Sequence, residues 1–190
     1  IPNDKYYDKN YNGSWNGLTI ISIAIGQGEV TATPLQIANL GATIANRGYF
    51  ITPHVVKEIE DEALDSLYTT KRYTKVSEKH YETVVQGMRA AVTGGTCRAA
   101  NLPGLDVCGK TGTAQNKGKD HSAFMGFAPM NNPKIAVAVY VENGGWGATY
   151  GVPIGALIME KYLNGTLSPQ SEMKASDIQM RRIDYGVHER

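Results

Sequence analysis

The sequence predicts an α+β fold: an antiparallel sheet with packed helices before and after it. Residues 106–114, 123–128 and 135–142 are three strand-like runs in close succession. Only the short polar stretches 115–120 and 129–133 separate them. A parallel crossover needs roughly a dozen residues or more, so these runs pair as antiparallel hairpins. Helical patterns lie on either side of this block instead of alternating with its strands, which excludes a doubly wound sheet.

In chain order, residues 4–10 (DKYYDKN) are polar, tyrosine-rich and without periodicity. Residues 19–25 (TIISIAI) have strand composition and stop at Gly26-Gln27-Gly28. Thr33-Pro34-Leu35-Gln36 is a helix start. Thr33 can cap, Pro34 fits the first helical position and Gln36 completes a capping box. Leu35, Ile37, Ala38, Ala42, Ile44 and Ala45 spread around the axis, which predicts a buried helix ending at Asn46-Arg47-Gly48. Residues 53–59 read as a strand, and 60–76 as a polar, exposed excursion with a weak strand or hairpin.

Ser77 is expected to cap a second helix, with Glu78 favourably placed in its first turn. Tyr81, Val84, Val85, Met88 and Val92 form its apolar face, and Thr93-Gly94-Gly95 ends it. Beyond the three strands, residues 143–147 (NGGWG) are a flexible loop in which Trp146 either contacts a ligand or caps the core. A closing helix follows over 153–163, with Pro153 in its first turn and Asn164-Gly165 as its stop. Residues 166–190 read as a flexible polar tail, holding at most a short solvated helix over 173–182.

The 190 residues are 42% hydrophobic and 19% charged, which suits one globular domain or a large part of one. Nineteen basic against 18 acidic side chains, net +1, give no electrostatic footprint for nucleic acid or an anionic membrane. The longest apolar runs, 18–25 and 135–141, fall short of the about 20 residues that cross a bilayer. Ile1-Pro2-Asn3 opens the chain without an initiator methionine, as in a piece of something longer. Two cysteines, Cys97 and Cys108, offer neither a disulfide framework nor zinc spacing. Cys108 lies in a strand-like run, which favours a buried thiol over a Cys97–Cys108 bridge. His54, His80, His121 and His188 show no metal-ligand spacing, and no cofactor or metal is expected.

Residues 104–115 (GLDVCGKTGTAQ) satisfy two motifs with incompatible chemistry. Gly104 to Thr111 fits G-x-x-x-x-G-K-[ST], the phosphate-binding loop. That loop needs a core strand before its first glycine and a helix opening at its lysine. Here Arg98 to Pro103 is no core strand, residues 105–108 have strand composition themselves, and Gly112, Asn116 and Gly118 oppose a helix. The second motif, Lys110-Thr111-Gly112-Thr113, is the K-T-G element of enzymes that acylate a serine with penicillin-like substrates. It belongs on a strand, and the composition agrees. Alternation sets Thr111 and Thr113 on one face and Lys110 on the other, while Gly112 lets a second chain approach the backbone.

The flanks of this tetrapeptide carry a resemblance. Residues 25–28 (IGQG), 31–38 (TATPLQIA), 45–48 (ANRG) and Pro53-His54 stand ahead of it. Residues 109–115 (GKTGTAQ), 121–129 (HSAFMGFAP), 132–137 (NPKIAV), 141–145 (VENGG) and 152–154 (VPI) follow in order. Over residues 13–165 the chain resembles the C-terminal part of the transpeptidase domain of class B penicillin-binding proteins, the elongation-specific branch above all, with its serine β-lactamase-like fold.

The resemblance implies a peptidoglycan D,D-transpeptidase that cross-links stem peptides through an acyl-serine and is acylated by β-lactams. It assigns Lys110 to the proton-relay and electrostatic network. Thr111 and Thr113 hold the substrate carboxylate, the Thr113 N–H forms half of the oxyanion hole, and Gly112 permits strand-like approach. It also implies an S-x-x-K nucleophile and an S-x-N upstream of the Gly-Gln-Gly segment. Ser14-Trp15-Asn16 and Ser171-Glu172-Met173-Lys174 fit those patterns in the wrong places. Residues 1–165 are therefore expected to be the nucleophile-lacking part of such a domain, inactive alone and completed by the domain's N-terminal part. A membrane glycan polymerase as partner and the periplasmic face of a bacterial inner membrane follow from the same resemblance. A non-catalytic penicillin sensor and a serine β-lactamase are the alternatives, although a lactamase would not normally carry segments 33–38 and 132–137.

Overall fold

The computed structural model describes residues 2–183. The chain forms two compact units, Ile1–Thr33 and Pro34–Arg190.

In the first unit, α1 (Asp4–Tyr11) starts on Asn3, whose side chain accepts the Tyr6 N–H at 3.1 Å. Tyr7 is buried among the rings of Tyr6, Tyr11 and Trp15. Glu29 accepts both the Tyr7 hydroxyl, at 3.0 Å, and the Tyr11 hydroxyl. Residues 19–25, expected as a strand, instead lie largely in α2 (Gly17–Ala24). The cause is local. Asn16 caps the Leu18 N–H at 2.9 Å, and the Thr19 hydroxyl returns to the Asn16 N–H at 3.3 Å. That reciprocal box satisfies helix-terminal donors, and among the described residues no partner strand pairs with this segment to reward its β-branched composition. The S-x-N pattern at residues 14–16 thus supplies a helix cap.

The second unit opens with α3 (Pro34–Ala45), starting at the expected proline. Only its latter half is buried, at Gly41, Thr43, Ile44 and Ala45, whereas Leu35 and Leu40 are exposed. An all-round apolar pattern therefore overstated its burial. Residues 53–59 are not a strand: β1 (Tyr49–Phe50) pairs antiparallel with β2 (Arg72–Tyr73), and between them stand one bridge, Ile59 to Glu62, and α4 (Ser66–Thr69). Asp65 caps α4 at the Leu67 N–H, 2.7 Å away.

Helix α5 (Lys79–Thr93) begins one residue later than expected. Glu78 takes the cap position without a side-chain bond, and Ser77 contributes its carbonyl, accepting the His80 N–H at 3.1 Å. Tyr81, Val85, Met88 and Val92 are buried at helical spacing, and Val84, one residue off that stripe, is exposed. A short 3₁₀ turn over Arg98–Ala100 leads to the sheet.

Strands β3 (Cys108–Ala114), β4 (His121–Ala128) and β5 (Ile135–Val141) form the expected antiparallel meander in spatial order β3-β4-β5. On one face Phe124, Ala128 and Val137 join Val92, Leu105 and Met159. On the other, Cys108 and Phe127 pack with Ile44, Val85 and Met88. Helix α6 (Gly151–Asn164) covers the first face, and its expected glycine stop, Gly165, has φ 74°. Phe124 fixes how closely the layers meet. A Cβ at Gly109 or Gly126 would stand 2.5 Å from its ring, and one at Gly155 of α6 would also collide with it.

After Gly165 the stretch read as a flexible tail carries α7 (Pro169–Met180). Pro169 opens it, Ser168 caps the Ser171 N–H at 3.3 Å, and buried Glu160 accepts the Ser168 N–H at 3.1 Å. Burial opposes the charge of Glu160, yet hydrogen bonds from Ser171 and Ser168 hold its carboxyl below the usual value. Ser171 of the misplaced S-x-x-K pattern is buried in this junction. His188 lies outside the described residues.

Candidate active site

Lys110, Thr111, Gly112 and Thr113 all stand on β3, at an edge of the sheet. The phosphate-loop geometry is absent: a strand occupies the place where that motif needs a helix to open. Register places Thr111 opposite Phe124 and Thr113 opposite Ser122, on the α6 side. Lys110 and Gly112 stand opposite Met125 and Ala123, on the other side. Lys110 is exposed, and its Nζ donates to the Thr111 carbonyl at 2.8 Å.

Two further residues complete the neighbourhood, and the sequence reading passed over both. The Thr96 hydroxyl lies 2.8 Å from the Thr111 hydroxyl, brought there by the turn after Gly94-Gly95, which had registered only as a helix stop. Gly147 rests directly on the strand. A Cβ there would stand 2.6 Å from the Gly112 carbonyl oxygen, 2.5 Å from that of Ala123 and 3.0 Å from the Thr111 Cβ. Its neighbour Trp146 is 74% exposed and so does not cap the core. The Trp146 carbonyl accepts the hydroxyl of buried Ser122 at 2.8 Å.

Cys97 and Cys108 are both buried and free. Burial raises the Cys97 thiol, a shift that the Thr96 side chain and the Thr111 backbone partly oppose. Burial pushes the Cys108 thiol up to about 11, despite Arg89 and Arg47. A thiol so desolvated is a packing group and a poor nucleophile. Among the described residues no cluster of three His, Cys, Asp or Glu could hold a metal, and no helix is long and apolar enough to cross a membrane. A cleft of about 530 Å³ between Leu35, residues 53–56 and Tyr68 shares no residue with the β3 edge.

An edge strand bearing two hydroxyls, a cation and a side-chain-free glycine can take an extended peptide by strand addition and hold its carboxylate. Comparison with known proteins gives that chemistry a lineage: residues 4–163 match the penicillin binding protein transpeptidase domain. The chain belongs to the penicillin-binding protein transpeptidase family. Its α+β architecture is the one found in the transpeptidase domains of that family.

Among transpeptidase relatives, it is 34% identical to the peptidoglycan D,D-transpeptidase MrdA of Haemophilus influenzae over 206 residues, covering 96% of this chain and 31% of the relative. It is 34% identical, with a TM-score of 0.62, to penicillin-binding protein A from M. tuberculosis solved as an imipenem acyl-enzyme complex, over 74% of this chain and 33% of that one. A structure described as a peptidoglycan synthase complex coordinating polymerization and crosslinking aligns with 31% identity and a TM-score of 0.69, over 89% of this chain and 29% of that one. The chain spans about a third of the length of the curated relatives it matches.

Proposed function

We propose that this chain supplies the substrate strand of a peptidoglycan D,D-transpeptidase. In that reaction a serine hydroxyl attacks the carbonyl of the D-Ala–D-Ala bond. The terminal D-alanine leaves as an amine and the stem peptide stays as a serine ester, whose carbonyl the amine of a neighbouring peptide then attacks, forming the cross-link amide and freeing the serine hydroxyl. A β-lactam enters the same first step and remains bound. The carrying observation is the β3 edge itself, where Lys110, Thr111, Gly112 and Thr113 follow one another within a domain of this family.

Thr111 and Thr113 bind the carboxylate of the stem peptide or drug. The Thr113 N–H is one donor of the oxyanion hole, and Gly112 leaves room for the extended donor chain. Lys110 supplies positive potential and a place in the proton relay. The serine and the S-x-N come from N-terminal sequence of the same domain, so residues 1–165 act as its C-terminal part. The relative caught as an imipenem acyl-enzyme supports β-lactam acylation, and the synthase complex that couples polymerization to crosslinking supports a glycan-polymerising partner. The proposed location, the periplasmic face of a bacterial inner membrane, follows from the family resemblance.

Intact-mass spectrometry after penicillin exposure tests the reading. The full-length protein should gain one β-lactam, its Lys110→Ala variant should gain none, and this chain alone should stay unmodified. An unmodified full-length protein would leave a non-catalytic homologue in its place.

A further inference from the structure

We infer that His121 is a positioning residue for this acyl transfer: as the neutral Nε2–H tautomer it pins the 143–147 loop onto the Lys110–Thr113 stretch of β3. The inference rests on the function proposed above.

His121 opens β4, opposite Ala114 at the far end of β3. Its Nδ1 accepts the backbone N–H of Asn143 at 3.0 Å. That nitrogen therefore carries no proton, and the proton of the neutral ring sits on Nε2. The adjoining residues fasten the same loop. The Asp120 carbonyl accepts the Gly145 N–H at 2.8 Å, and the Ser122 hydroxyl donates to the Trp146 carbonyl while accepting the Gly151 N–H at 3.0 Å. Three consecutive residues thus hold loop positions 143, 145 and 146. The next residue, Gly147, is the one pressed against Gly112 and Thr111. A shift of the loop has no slack to absorb it before it reaches the carboxylate-binding threonines.

A side chain with no acceptor at this position leaves the Asn143 N–H without its bond to β4. The Asn116 Nδ2 also reaches the Asn143 Oδ1, at 3.4 Å. The Tyr140 ring of β5 lies against the imidazole, its centroid 5.3 Å away and its plane tilted by 41°, and burial, then Glu142, raises its phenol. Glu142 follows β5, and Lys119 and Asp120 precede His121 on the β3–β4 turn. The Asp120 carboxylate already accepts the Asn116 N–H at 3.4 Å.

The test is the acylation rate of the full-length protein by a fluorescent penicillin at pH 8, beside two variants. His121→Asn keeps an acceptor oxygen near the Nδ1 position; His121→Phe keeps a ring against Tyr140 and has no acceptor. His121→Phe should be slowed roughly fivefold, the scale of one hydrogen bond, and His121→Asn should recover most of that loss. If His121→Phe does not fold, the His121→Asn rate decides alone. A His121→Asn slowed by roughly fivefold, or a folded His121→Phe at full rate, overturns the inference. No acylation of the unaltered protein at pH 8 overturns the transpeptidase reading, and this inference with it.

Discussion

Residues 108–141 and residues 51–76 lie in the same unit and both carry apolar, β-prone segments, yet only the first forms a lasting sheet. In β3–β5 each strand finds a neighbour in register, and helices cover both faces. In 51–76 the pairing amounts to the two residues of β2 against β1 and one isolated bridge, and Val55, Val56 and Ile59 stay exposed. Strand composition expresses itself as a strand only where a ladder and a packed face are available.

The largest expected effect that would break this contrast is at Phe124. Phe124→Ala removes a 2% exposed ring from the slot between Gly109, Gly126 and Gly155 and should destabilise the fold by about 3–5 kcal/mol in denaturant unfolding. A loss under about 1 kcal/mol would mean that the sheet's glycines do not define its packing.

Next comes Gly147→Ala, which forces a Cβ against two carbonyl oxygens and should cost about 1–3 kcal/mol. It should also slow β-lactam acylation of the full-length protein by shifting Thr111. Unchanged acylation would detach the loop from the site.

A smaller effect sharpens the contrast through pH. The folded pKa of Cys108 is raised by burial above the unfolded value of 9.0, to about 11. Its neutral thiol therefore supports the fold fully below about pH 9, and that support fades as pH rises through about 11. Cys108→Ala should flatten this part of the alkaline stability profile. The same burial should keep Cys108 unreactive toward iodoacetamide at pH 8 until the chain unfolds. Smallest of all, Val55→Ser alters a fully exposed side chain and should leave stability within about 0.5 kcal/mol.

The sheet and the helices around it were legible because each obeys a local rule. Period-two runs joined by short polar turns give hairpins, and the 81-85-88-92 stripe gives the buried face of α5. Residues 19–25 were misread because a capping box one turn upstream outweighed strand composition. Helix α7 (Pro169–Met180) starts earlier than the short helix read over 173–182, because the residue that anchors its start, Glu160, lies on the preceding helix.

By itself, the sequence determined that Lys110 to Thr113 lie on a strand and share its two faces by alternation, since that follows from period and composition alone. Only the tertiary structure decided that this strand is an edge, that the Thr96 hydroxyl meets Thr111, and that Gly147 and His121 bear on the same few ångströms. Those neighbours are 15 to 36 residues away along the chain or hang from another strand. Their meeting depends on how the layers close around Phe124, a packing outcome that no local pattern encodes.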